Sequence, residues 1–88
     1  MGHYKKLYKK IKNNPKDVQF DDLEKLMIKV GGFSSKPGKG DHYTFSHPDM
    51  KEILGVDTRG KRNPLRAVYV NNCIKAFEEL NPEFCRED

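Results

Sequence analysis

The sequence predicts an α+β fold: a three-stranded antiparallel sheet with helices on one face, in the order α-α-β-β-β-α. Two observations carry that expectation. Apolar residues recur at i, i+3, i+4 and i+7 in segments at both ends of the chain, the signature of a helix with one buried stripe. In the middle, from Phe33 onward, the period changes to two, which is the repeat of a strand. Helices and strands segregated in this way pack as two layers, so one sheet face is covered and the other stays open.

The first helix is read from "HYKKLYKKIKNNP", where Tyr4, Leu7, Tyr8 and Ile11 share a face, lysines fill the remaining positions and Asn13-Asn14-Pro15 ends the run. The second is "DDLEKLMIKVGG", with Leu23, Leu26, Met27 and Val30 on one face. Asp21 and Glu24 suggest a capping box, and Gly31-Gly32 a stop. "GFSSK" then reads as a strand and "PGKG" as a turn. In the following strand, "DHYTFSH", alternation puts His42, Thr44 and Ser46 on one face and Tyr43, Phe45 and His47 on the other. "HPDM" makes the next turn and "EILGVDT" the third strand. "RGKRNPLR" is a basic connection without periodicity. The last helix is "AVYVNNCIKAFEELNP", its stripe formed by Val70, Cys73, Ile74, Phe77 and Leu80, and residues 83–88 are expected to fray as an acidic tail.

At 88 residues the chain holds one small domain with a thin core. No window approaches the length of an apolar membrane span, and the first residues lack the pattern of a secretory leader, so a cytoplasmic protein that avoids the membrane is expected. Two cysteines, Cys73 and Cys85, are too few for a disulfide scaffold and lack zinc-ligand spacing. Charge is distributed unevenly. Residues 1–16 carry six lysines and no acid, residues 36–66 seven basic residues against four acidic, and residues 67–88 two against five. A polyanion would meet the first two regions, although a lysine run by itself also serves simply to solvate a surface.

Chemistry concentrates in "GKGDHYTFSHP". Histidine takes and gives protons near neutral pH, and RNA cleavage needs such transfers at the 2′-hydroxyl and the leaving 5′-oxygen, with positive charge at the phosphate. His42 on the open face, beside Lys39 and the backbone of Gly38 and Gly40, has those ingredients. The plainer reading of a lone strand histidine is a surface residue. His47, directly before Pro48, reads as a strand-end residue. It points away from His42, which argues against a shared metal site with Asp41. "GKG" is not a Walker loop, and no GxSxG, HExxH or paired-carboxylate motif appears. Arg59, Lys61, Arg62 and Arg66 in the basic connection either hold phosphates or are solvated.

A helix ending "KVGGF", the "GKG" turn, a histidine opening the aromatic-rich strand "HYTFSHP", a hydrophobic third strand, "GKRNPLR" and a final helix "VYVNNCIKAFEEL" together resemble the HicA family of toxin mRNA interferases over residues 17 to 80. The resemblance implies a fold similar to double-stranded-RNA-binding domains. It implies an endoribonuclease that cleaves mRNA with neither metal nor other cofactor, and a HicB-type antitoxin protein as partner. It makes residues 17–82 the HicA-like domain and 1–16 a lysine-rich N-terminal extension. The family's catalytic histidine maps onto His42, and its motif glycine onto Gly40. Lys39, Gly38 and Gly40 would then position a phosphate, with Arg59, Lys61 and Arg62 adding affinity. Asp41 departs from the family, which has Ser or Thr there, and brings a carboxylate towards the RNA phosphate. Two other readings stand beside this one: a non-catalytic RNA-binding module of the same shape, and a protein that acts mainly through protein contacts.

Overall fold

The computed structural model describes residues 2–58 and 64–84. It is an α+β domain built from α1 (Gly2–Asn13), α2 (Phe20–Lys25) running into a π-helical turn (Leu26–Val30), β1 (Ser34–Pro37), β2 (His42–Ser46), β3 (Leu54–Asp57) and α3 (Ala67–Leu80), followed by a 3-10 turn (Pro82–Phe84). The three strands form an antiparallel meander in the order β1-β2-β3, as the alternation predicts. Among the described residues no helix is long and apolar enough to cross a membrane.

Each helix buries the centre of the stripe that its spacing predicts, with Tyr4, Leu7, Val30 and Leu80 only half-buried. Tyr8 and Ile11 of α1, Leu23 of α2, Leu26 and Met27 of the π turn, and Val70, Cys73, Ile74 and Phe77 of α3 meet in one cluster with Phe45 and Val56 from the sheet. Burial pushes the Cys73 thiol up to about 12, so it packs as a small apolar group and carries no thiolate. At twelve residues, with no acid in its first turn and like charges at Lys5/Lys9 and Lys6/Lys10, α1 has little stability of its own. Its fixed position comes from packing. Tyr8 stacks on Phe77 at 5.6 Å and meets Phe84 edge-on at 5.8 Å. Pro82–Phe84 closes a turn, and Phe84 meets both Tyr8 and Phe77, while residues 85–88 of the expected acidic tail lie outside the described residues.

A polar knot secures the same junction. Glu78 Oε2 accepts hydrogen bonds from the Tyr8 hydroxyl and from Lys12 Nζ, the latter at 2.7 Å, and Lys12 also donates to the Tyr8 oxygen at 3.3 Å. Desolvation by itself would raise the Glu78 pKa, but the bonds from Lys12 and Tyr8 outweigh it and hold the carboxyl below its usual range. A depressed carboxyl contributes stability that is present above its unfolded pKa and is lost as pH falls through the folded one. Glu78→Gln is therefore expected to lower stability by about 1 kcal/mol at pH 7. The difference from wild type should close on acidification below about pH 4, the ordinary Glu range. Urea unfolding at several pH values measures both quantities; a gap that persists in acid would assign the loss to packing.

The start of α2 differs from the sequence expectation. The carbonyl of Gln19, not a side chain of Asp21, receives the first helical bonds, from Asp22 N–H at 3.1 Å and Leu23 N–H at 3.2 Å, with no side-chain cap. The helix begins early because Phe20 must face the core. Glu24 is thereby carried out of capping range and accepts from the Ser35 hydroxyl at 3.0 Å, tying α2 to β1. At the other end, Gly31 N–H reaches back five residues to Leu26 O at 3.1 Å, which widens the last turn into a π turn. A Cβ on Gly31 would lie 2.8 Å from Met27 O and 3.0 Å from the Phe77 ring, so only glycine lets α3 approach so closely. The third strand is shorter than the span 52–58 predicted: Ile53 precedes it and is 65% exposed.

Candidate functional site

Strand register decides which side chains share the open face. Directly opposed residues of an antiparallel pair project to the same side, with Cβ atoms about 4.5–5.5 Å apart. The pairing therefore lays out three rows: Ser34 with Ser46; Lys36 with Thr44 and Gly55; and His42 with Asp57. Ser34, Lys36, His42, Ser46 and Gly55 are exposed, whereas Thr44 and Asp57 are half-buried. On the covered face Phe45 is fully buried and the half-buried Tyr43 packs on Phe20 at 4.7 Å, so both aromatics of β2 face the core, as their parity predicts.

His42 stands at the head of β2, where it is fixed by a tight turn. Its N–H donates to Lys39 O at 3.2 Å, closing the four residues Lys39-Gly40-Asp41-His42. Gly40 sits at the first central position with φ +60°, the left-handed value that primed hairpin turns require there and that a Cβ disfavours. The Gly38 N–H donates to His42 O at 2.7 Å. That bond engages the Gly38 amide in closing the hairpin. Lys39, Gly40 and His42 are brought together on one exposed turn, while Arg59, Lys61 and Arg62 lie outside the described residues.

Two residues that the sequence reading passed over complete the site. Asp57 is the cross-strand neighbour of His42, which places a carboxylate across from the imidazole. Thr58, buried to 1% exposure, donates both its N–H and its hydroxyl to Asp41 O, each at 2.8 Å. That double bond to one carbonyl clamps the turn to the end of β3. Pairing "DHYTFSH" against "LGVDT" in register would have suggested both, because Asp57 and Thr58 then fall opposite His42 and Asp41. Thr58→Val keeps the shape and the backbone bond but deletes the hydroxyl, and is expected to cost about 1 kcal/mol of stability. A lower urea midpoint at unchanged slope would register it. No change would mean that the backbone bond alone holds the turn.

His47 has the structural role that its position suggests. Its Nδ1 accepts from the Asp49 N–H at 3.0 Å, its ring meets Phe33 edge-on at 5.0 Å, and its carbonyl closes the turn to Met50. Among the described residues no group of three or more His, Cys, Asp and Glu side chains gathers around a common point. A cleft of about 460 Å³ between the Met50–Gly55 segment and α3 and a smaller groove along α2 are both formed without His42. Among the described residues His42 is exposed. No family model, curated protein or solved structure matches this chain.

Proposed function

We propose that this chain is a metal-independent endoribonuclease of the HicA toxin type, with a double-stranded-RNA-binding-domain-like fold, in which His42 moves protons on RNA. The observation that carries the reading is His42 itself: an exposed imidazole at a fixed position on the open sheet face, in the same turn as Lys39 and with Lys36 on the same face. Small-molecule sites are concave and enclose their ligand, and the two clefts formed by described residues do not include the exposed His42, which favours a polymer as its ligand. Lysines beside the imidazole favour a polymer of phosphates.

In the reaction, His42 acts as general base or acid. The 2′-hydroxyl gives up its proton, the 2′-oxygen bonds to phosphorus, the bond from phosphorus to the 5′-oxygen breaks, and that oxygen takes a proton. One imidazole that accepts the first proton and returns it to the 5′-oxygen leaves the balance unchanged. Asp57 is a positioning residue in this scheme, set across the sheet so that its carboxylate orients the imidazole. Lys39 stabilises the charge on the phosphate. A HicB-type antitoxin would act by covering the open face and denying RNA access to His42. The test is incubation with a long single-stranded RNA in EDTA, His42→Ala alongside. RNA left intact by both proteins, though bound, would replace this reading with a non-catalytic RNA-binding module.

A further inference from the structure

We infer that the exposed face of α1 is a second RNA-phosphate-binding surface, distinct from the His42 turn. It takes its ligand class from the proposed function but does not depend on cleavage. Lys6, Lys9, Lys10, Lys12 and Lys16 are exposed, and the first sixteen residues contain no acid. Lys6, Lys9 and Lys10 are helical neighbours at i, i+3 and i+4, about 5–6 Å apart at Cβ, so they form one cationic patch. Lys12 is committed to Glu78, Lys10 lies 3.9 Å from Asp22 and Lys9 is also partnered, so the patch rests on the exposure of these side chains and not on their being unpaired.

This charge arrangement works against the helix that carries it. Like charges face each other at Lys5/Lys9 and Lys6/Lys10 and no acid stands in the first turn, while only Lys10 and Lys12, in the last turn, complement the macrodipole. Local choices that oppose the fold mark positions held for another purpose. The core meanwhile fixes the patch in place, since Tyr8 and Ile11 are buried and Tyr8 is bonded to Glu78.

The same burial decides between two polyanions. A helix that binds membranes inserts an apolar face between lipid headgroups. In α1 that face is already taken: Tyr8 and Ile11 are in the core, and Tyr4 and Leu7 are half-buried. What remains outward is cationic, a surface that holds phosphates by counterion release. Because α1 belongs to the helical layer and His42 to the opposite face of the sheet, a long RNA held on α1 raises the local concentration of RNA at the rest of the chain.

The experiment compares His42→Ala protein with the same protein carrying Lys6→Gln, Lys9→Gln and Lys10→Gln. Glutamine preserves helix propensity, and far-UV circular dichroism checks that α1 persists. Binding of a long single-stranded RNA is measured over a salt series in EDTA. Three lost phosphate contacts are expected to make the plot of log affinity against log salt shallower by about 2. Lys25→Gln with Lys29→Gln, on exposed lysines of α2 and its π turn, should change the slope far less per lysine. An unchanged slope overturns the inference, and so does an equal change per lysine in the two sets. Loss of binding to phosphatidylserine vesicles with the RNA slope intact also overturns it, in favour of a membrane surface. Since RNA binding is read without cleavage, an inactive wild-type protein would refute the ribonuclease reading and leave this test standing.

Discussion

Replacing His42 by alanine is expected to lower RNA cleavage in EDTA by about 10²–10⁴-fold, the range that a positioned general acid or base supplies, while RNA binding persists. The expectation of intact binding follows from the fold. His42 is exposed, and its partners in the turn are backbone groups, so deleting the imidazole leaves the Lys39 O bond, the Gly38 bond and the Thr58 clamp in place. The phosphate contacts proposed for Lys39 and for α1 are untouched as well. Cleavage undiminished in the variant would remove His42 from the chemistry. Parallel loss of binding and cleavage would make it an RNA contact only. The pattern that supports catalysis is loss of rate at saturating RNA, because a group that acts only in the transition state lowers kcat without weakening the ground state.

Which parts of this site were legible in the sequence follows from how far each depends on distant residues. Parity along "HYTFS" is local, so the exposed His42 and the core roles of Tyr43 and Phe45 could be read directly. The glycine turn is local too, and Gly40 has the backbone angle that its place suggests. The bond from the Gly38 amide to the His42 carbonyl was not legible, because it is set by hairpin closure. Asp57 and Thr58 were missed for the same reason at longer range: their significance arises only when β3 is registered against β2. The capping box failed through tertiary competition, since burying Phe20 moved the helix start to Gln19 and left Glu24 free to meet Ser35. In α1 the apolar stripe was plain. The Glu78 carboxylate that ties it down lies seventy residues away and could not be seen from the helix itself.

The largest expected loss of stability is at Phe77. Truncation of a buried phenylalanine to alanine costs about 3–5 kcal/mol, the transfer term plus the cavity left behind. Phe77 is fully buried, stacks on Tyr8, meets Phe84 edge-on at 5.3 Å and lies against Gly31, so one deletion removes the contact that α1, the final turn and the π turn all share. A domain of this length has a total stability of roughly 5–10 kcal/mol, and Phe77→Ala should leave it partly unfolded at 37 °C. Val68→Ala, at a position 58% exposed, should stay within about 0.5 kcal/mol and serves as the reference. The shape of the transition carries further information. If α1 is a loosely attached extension, the variant should melt in two steps, its helix lost separately from the sheet. The burial of Tyr8 and Ile11 in the common cluster and the Glu78 knot point to a single cooperative unit, with one transition for wild type and variant alike. Coincident unfolding by circular dichroism and by tyrosine fluorescence would establish that unit, and with it the rigid presentation of the α1 lysines that the proposed RNA surface uses.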